Sequence, residues 1–157
     1  MKWLSMLAAI SLATAPTAAF AQDREVPYWA SIRWEEVNMR VGPSESFPIS
    51  WVYKRPGLPL KVVRVVEGWR LVQDPDGEQG WVIARSLRLD RGAIVSGEGL
   101  AEMRSEAGGG RMLWKVEPGV TGALGKCEDG WCEFDVAGKR GFIKSARLWG
   151  SEELSPE

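Results

Sequence analysis

Cys127 and Cys132 are the only cysteines in the chain, lying in GKCEDGWCEF (residues 125–134) with four residues between them. Three chemistries are open to such a pair: redox exchange, half of a metal site, or a cross-link. A redox pair usually has two intervening residues at the start of a helix, not four across a β turn. A structural zinc needs four ligands, and this chain offers two thiols and no histidine. The spacing therefore predicts a disulfide stapling a turn, with free thiols as the alternative, and no metal site is expected. The missing histidine also removes the usual general base and the usual partner of a serine or cysteine nucleophile. No acidic pair stands out as the two carboxylates of a glycosidase. The chain is expected to be a non-enzyme, without a cofactor.

The elements around this turn come next. Twenty basic and 21 acidic residues give a net charge of −1 with the signs well mixed. Without a basic patch, nucleic acid is not an expected partner. Residues 1–21, MKWLSMLAAISLATAPTAAFA, have a positive start, a short apolar run and a small-x-small ending at Ala19-Phe20-Ala21. That is the layout of a secretory signal peptide, so the mature chain is expected to start at Gln22 and to be periplasmic or secreted. An oxidising compartment would suit the cysteine pair. No later stretch has the length of a membrane span, so none is expected in the mature chain.

After a leader over 22–29, short Val/Ile/Trp-rich runs alternate with Gly, Pro and Asp, which predicts an all-β chain. Ser31–Val37 is the best candidate for a short helical piece. The text then repeats. Met39-Arg40 returns as Met103-Arg104, Glu67-Gly68-Trp69 as Asp129-Gly130-Trp131, Gly80-Trp81-Val82 as Gly141-Phe142-Ile143, and Leu87 as Leu148. The offset drifts only from 64 (Met39 to Met103) to 61 (Gly80 to Gly141), the mark of an internal duplication. The expected repeats are 30–90 and 91–149, with LDRGAIVSGE (89–98) as the connection and 150–157 as a flexible acidic tail. Each copy is small, so the two are expected to pack together.

VNMRVGPSESFP, a Pro-Gly turn, EGWRLV and GWVIARSL together resemble a bacterial Src-homology-3-like (SH3-like) domain. Asn38, Arg40, Gly42 and Pro43 match the family's N-x-R-x-G-P opening, and Gly80-Trp81-Val82 its closing strand. The second copy departs at the opening, where Gly-Pro becomes Glu106-Ala107, and its resemblance rests on CEDGWCEF and KRGFIK. It is similar to a proteobacterial subgroup carrying this cysteine pair. The resemblance implies two small five-stranded, partly open barrels in tandem and a non-catalytic binding role at the cell envelope. Cell-wall (peptidoglycan) peptide or an envelope protein are the partners it implies. A scaffold that self-associates through a Trp-rich face, and less so a cell-wall hydrolase, are the competing readings.

Nine tryptophans are a high count for 157 residues, and the first, Trp3, belongs to the expected signal segment. Trp29, Trp34, Trp51, Trp114 and Trp149 are expected to pack in cores or between repeats. Trp131 differs by strand parity: Cys132, Phe134 and Val136 form one apolar face, which leaves Trp131 on the other with Glu133 and Asp135. Trp69 holds the same position in the first copy. The expected ligand-binding residues are therefore Trp131, Glu133, Trp69 and Trp81. Eukaryotic relatives use the corresponding Trp to bind proline-rich peptides, together with a proline and a tyrosine whose positions here look like Ile83 and Ser86, or Lys144 and Arg147. With those partners missing, polyproline recognition is not expected.

Overall fold

The computed structural model describes residues 24–155, so the expected signal segment lies outside the described residues. Two antiparallel sheets of seven strands each account for the fold. The first is built from β1 (Tyr28–Ile32), β2 (Val37–Arg40), β3 (Ile49–Tyr53), β4 (Pro59–Val66), β5 (Trp69–Gln73), β6 (Gln79–Ile83) and β7 (Leu87–Arg88). The second is built from β8 (Gly92–Val95), β9 (Ala101–Glu106), β10 (Gly109–Val116), β11 (Thr121–Glu128), β12 (Trp131–Val136), β13 (Lys139–Lys144) and β14 (Leu148–Trp149). Their spatial orders, β3-β2-β6-β5-β4-β1-β7 and β10-β9-β13-β12-β11-β8-β14, are the same arrangement seven strands apart. The duplication in the text is thus a duplication of topology. Each sheet has two free ends and does not close into a barrel, and its seven strands replace the five expected.

Each unit wraps its own core. Ile32, Leu60, Val62, Val72 and Val82 are completely buried in the first, and Ala93, Cys132 and Ile143 in the second. Two repeated glycines show why the duplicated text is retained. A Cβ on Gly80 would lie 2.4 Å from Cγ of Met39, and one on Gly141 would lie 2.8 Å from Cγ of Met103. In both units a glycine on the closing strand makes room for the methionine of the opening strand.

Several expectations need correction. Ser31–Val37 is not helical: Ser31 and Ile32 end β1, and Val37 begins β2. Ile32 and Val37 are both buried, as strand residues facing a core are. The helical pieces among the described residues are two 3-10 turns, Ala84–Ser86 and Ser145–Arg147. None is long and apolar enough to cross a membrane. Residues 89–98 are not merely a connection, because 92–95 form β8, which pairs with β11 and β14. The leader ends earlier than expected, since Tyr28 and Trp29 already belong to β1.

The tail is anchored where it begins. Ser151 is buried and its hydroxyl donates to the carbonyls of Ser145 and Leu148. The Trp29 indole donates to the Glu152 carbonyl at 2.8 Å, and Arg91 donates to the carbonyls of Gly150 and Glu152. Residues 150–152 therefore tie the second unit to the first, in place of the flexible segment expected there. The same junction holds Trp29 edge-on against Trp149, ring centroids 4.7 Å apart, and seats Ile94 of β8 against the first core.

Candidate functional site

The site begins with the turn between β11 and β12. Asp129 and Gly130 both adopt positive φ (50° and 79°), the two-residue hairpin conformation that Asp-Gly favours. This turn sets Glu128 opposite Trp131 and Cys127 opposite Cys132. The two cysteines are joined in a disulfide, their Cα atoms 4.0 Å apart. Its outer half, Cys127, is exposed, while Cys132 is completely buried in the second core. The staple thus fixes a surface turn to the core and, one residue before Cys132, fixes the start of Trp131.

Cys127→Ser breaks the bond at its exposed end without burying a hydroxyl. Closing so short a loop constrains the unfolded chain by about 2 kcal/mol, so the variant is expected to lose that much in urea melts. An unchanged midpoint would show that the hairpin holds without its cross-link.

Parity along β12 is as the sequence implies. Cys132 and Phe134 are buried, Glu133 is exposed, and Trp131 and Asp135 are half-buried on the outward face. Trp131 pairs with Lys144 on β13, whose ammonium sits 5.9 Å from the centroid of the indole ring. With Leu100, Glu102 and Arg147 these two residues line a pocket of about 310 Å³. Arg147 comes from the second 3-10 turn and donates to the carbonyls of Ser96 (2.9 Å) and Gly99 (2.7 Å), which holds the loop carrying Leu100 in place. Glu102 is gripped by Arg104, whose hydrogen bond and charge hold its carboxyl below the usual range. The pocket therefore offers a flat apolar wall and the Lys144 ammonium, which makes no ion pair among the described residues. Such a wall and such a charge suit an apolar group next to a carboxylate.

Glu133 lies elsewhere. It lines a second groove of about 500 Å³ on the outer face of β11–β13, with Phe142, Asp135 and Arg140. Gly125 leaves space for it, since a Cβ there would meet the Glu133 carboxyl oxygen at 2.6 Å. Arg140 and the Gly138 amide hydrogen-bond Asp135 and hold its carboxyl below the usual range. Trp131 and Glu133 thus share a strand face but open onto different pockets.

In the first unit, Trp69 pairs with Val66 and Ile83, and Trp81 with Leu71 and Arg40. Both tryptophans are half-buried on one outward face, far richer in aliphatic neighbours than the face around Trp131. Lys144 is replaced there by Ile83. Trp69 and Trp81 thus lie diagonally across neighbouring strands on one face, and they line neither of the second unit's two pockets. Lys144 and Arg147, singled out in the sequence only as departures from the polyproline pattern, do flank Trp131. Leu100 and Glu102 had no sequence signal, because long-range contacts bring them to the site: β9, which carries Glu102, pairs with β13, and Arg147 holds the loop that carries Leu100.

Of the tryptophans expected to pack, Trp29, Trp149 and Trp114 are half-buried, the first two against each other and the third on the second core. Trp34 and Trp51 are not packed. They are 54% and 57% exposed. Trp51 sits on β3, which ends the first sheet, so its face runs past the edge of the core instead of over it.

Comparison with known proteins adds the following. A family model described as bacterial SH3 domain matches the chain twice, over residues 34–88 and 98–150. Among solved structures, NlpC2 from Trichomonas vaginalis is similar at 15% identity and a TM-score of 0.36, covering 81% of this chain and 49% of its own. NlpC1 from the same organism is similar at 14% identity and a TM-score of 0.35, covering 82% and 47%. The chain spans about half the length of those two proteins. No curated protein matches it.

Proposed function

The chain belongs to the bacterial SH3 domain family, and from that premise we propose that it is a non-enzymatic module that binds cell-wall peptide outside the cytoplasm. The family match makes binding the natural role. The disulfide is compatible with an oxidising compartment. Removal of residues 1–21, leaving Gln22 as the first residue, is the export route in this proposal.

The observation that carries the reading is the pocket around Trp131. A half-buried indole, a lysine ammonium with no ion pair among the described residues and an arginine that locks the adjoining loop converge in about 310 Å³. A short peptide bearing small apolar side chains and a free carboxylate has the matching chemistry. Its apolar groups lie on the ring and its carboxylate meets Lys144. No nucleophile is required.

Calorimetric titration of the protein with soluble cell-wall peptide tests this. Trp131→Ala is expected to weaken binding about thirtyfold, equivalent to about 2 kcal/mol for an aromatic anchor. Because the ring is not in the core, the same change should alter folding stability by less than about 1 kcal/mol. Wild-type affinity in the variant would overturn the site. A stability loss of roughly 3 kcal/mol or more would make Trp131 a packing residue instead.

A further inference from the structure

The groove over β11–β13, about 500 Å³ in volume, shares no lining residue with the Trp131 pocket. Its apolar lining includes Ala123, Leu124 and the half-buried Phe142, and its charged lining is Glu133, Asp135 and Arg140. Arg140 donates through Nε to Asp135 at 2.7 Å, and its side chain is 83% exposed, so its outer nitrogens are open to a further acceptor. Glu133 is exposed and forms no ion pair among the described residues. Nearby, Lys126 feels the Glu133 charge but is bound to Glu128 at 2.8 Å. Asp135 and Arg140 offset each other, so the groove offers both hydrogen-bond donors and acceptors with little net charge.

The fold does not demand this groove. β11 carries one residue more than β12 between the pairs Leu124–Phe134 and Cys127–Cys132, and the first unit repeats that bulge between Val62–Val72 and Arg64–Leu71. Matching the two registers sets Val63 on Gly125, Leu71 on Glu133, Gln73 on Asp135, Gln79 on Arg140 and Trp81 on Phe142. The first unit thus folds with a valine and a leucine where the second has bare backbone and a carboxylate. Gly125 is not among the glycines with positive φ, so its backbone does not require glycine. What the missing side chain provides is room: a Cβ there would meet the Glu133 carboxyl oxygen at 2.6 Å.

An open groove with an aromatic wall and balanced donors and acceptors suits an uncharged ring that carries hydroxyls. The C–H face of such a ring lies against aromatic carbon, while its hydroxyls donate to a carboxylate and accept from a guanidinium. A simple ion would need an excess of opposite charge, and an alkyl chain would leave the polar groups unused. The volume lies within the range of roughly 300–1,000 Å³ usual for small-molecule sites. We propose that this groove binds a neutral sugar ring, seated against Phe142 over Ala123 and Gly125, with its hydroxyls on Glu133 and Arg140. The inference does not depend on what Trp131 binds.

Nitrogen-resolved spectra of the full chain test this. The probe is methyl β-glucopyranoside, and the comparison is sorbitol, which has the hydroxyls but no ring. The pyranoside should shift the amides of 123–125, 133–135 and 140–142 saturably, and sorbitol should not. Gly125→Val, which copies the first unit, should abolish those shifts while the spectrum keeps its native dispersion. Glu133→Leu, a change at an exposed side chain, decides the matter if the valine variant fails to fold. It should weaken binding about tenfold, the loss of one hydrogen bond to a charged group. Arg64→Gln on the first unit should leave the affinity unchanged. Shifts that never saturate, equal shifts with sorbitol, or full affinity in Glu133→Leu would each overturn the proposal. Shifts confined to Trp131 and Lys144 would overturn it too, because the sugar would then occupy the other pocket.

Discussion

Gly92→Ala is expected to destabilise the chain by about 3 kcal/mol or more, at or beyond the upper end of what overpacking usually costs. The added Cβ would stand 2.2 Å from the carbonyl oxygen of Gly57. That oxygen is backbone, and its turn is pinned, since the Gly57 amide donates to the Ile32 carbonyl at 2.8 Å. No side chain can swing aside. Relief requires β8 to leave β11, against which Gly92 pairs with Ala123, or the second unit to move off the first. Either movement strains the rest of the junction, including the Trp29–Trp149 contact and Gly150, where a Cβ would meet Cβ of Pro59 at 3.1 Å. Gly109→Ala is the control: nothing lies within 4 Å of its Cβ position, so its effect should stay within about half a kcal/mol. Denaturant melts of the two variants measure the difference. A Gly92→Ala chain as stable as the wild type would mean that the units are not held in close contact there.

That junction explains which parts of the fold were legible in the sequence. Gly92-Ala93-Ile94-Val95 reads as a connection because it is short and opens with glycine. It is a strand because it pairs with β11 and β14, and it opens with glycine because the Gly57 carbonyl lies too close for a larger residue there. The duplication, by contrast, was readable without coordinates, since Gly80 and Gly141 recur for the same steric reason opposite Met39 and Met103. Strand count was not readable, because the resemblance implies a five-stranded barrel while the arms β2 and β3 and the two-residue β7 complete an open sheet.

The site shows the same division. Parity separated Trp131 from Phe134 correctly, because alternation is a local property of an extended chain. Whether a face is covered is not local. Ile49, Trp51 and Tyr53 alternate like a core-facing strand, yet only Tyr53 reaches the interior, at 5% exposure, while Trp51 projects beyond the sheet edge. The same limit hid Leu100 and Glu102, which reach Trp131 through the pairing of β9 with β13 and through the hydrogen bonds by which Arg147 holds the loop of Leu100. It also joined Glu133 to Trp131 on paper, although the two line different pockets.

Phe134→Ala should remove roughly 3–5 kcal/mol, the range for truncating a buried phenylalanine. Phe134 is 2% exposed and heads the fully buried side chains by volume. The ring lies over Gly122, where a Cβ would stand 2.7 Å from Cζ, so the backbone of β11 has been brought down onto it and cannot collapse further into the vacated space. The rest of the second core is made of smaller residues, among them Ala93, Ala101 and Cys132, which cannot fill the gap. The two units have distinct cores, joined through Ile94 and the Trp29–Trp149 contact. The loss should therefore fall unevenly: hydrogen exchange of β11–β13 amides should accelerate far more than exchange in β4–β6. Equal acceleration in both sheets would show that the junction makes them one cooperative unit, and a loss below about 1 kcal/mol would contradict the packing. Trp131→Ala and Phe134→Ala, three residues apart on one strand, then separate two ways of losing the pocket. The first removes a wall from an intact hairpin, and the second removes the core that holds the hairpin in place.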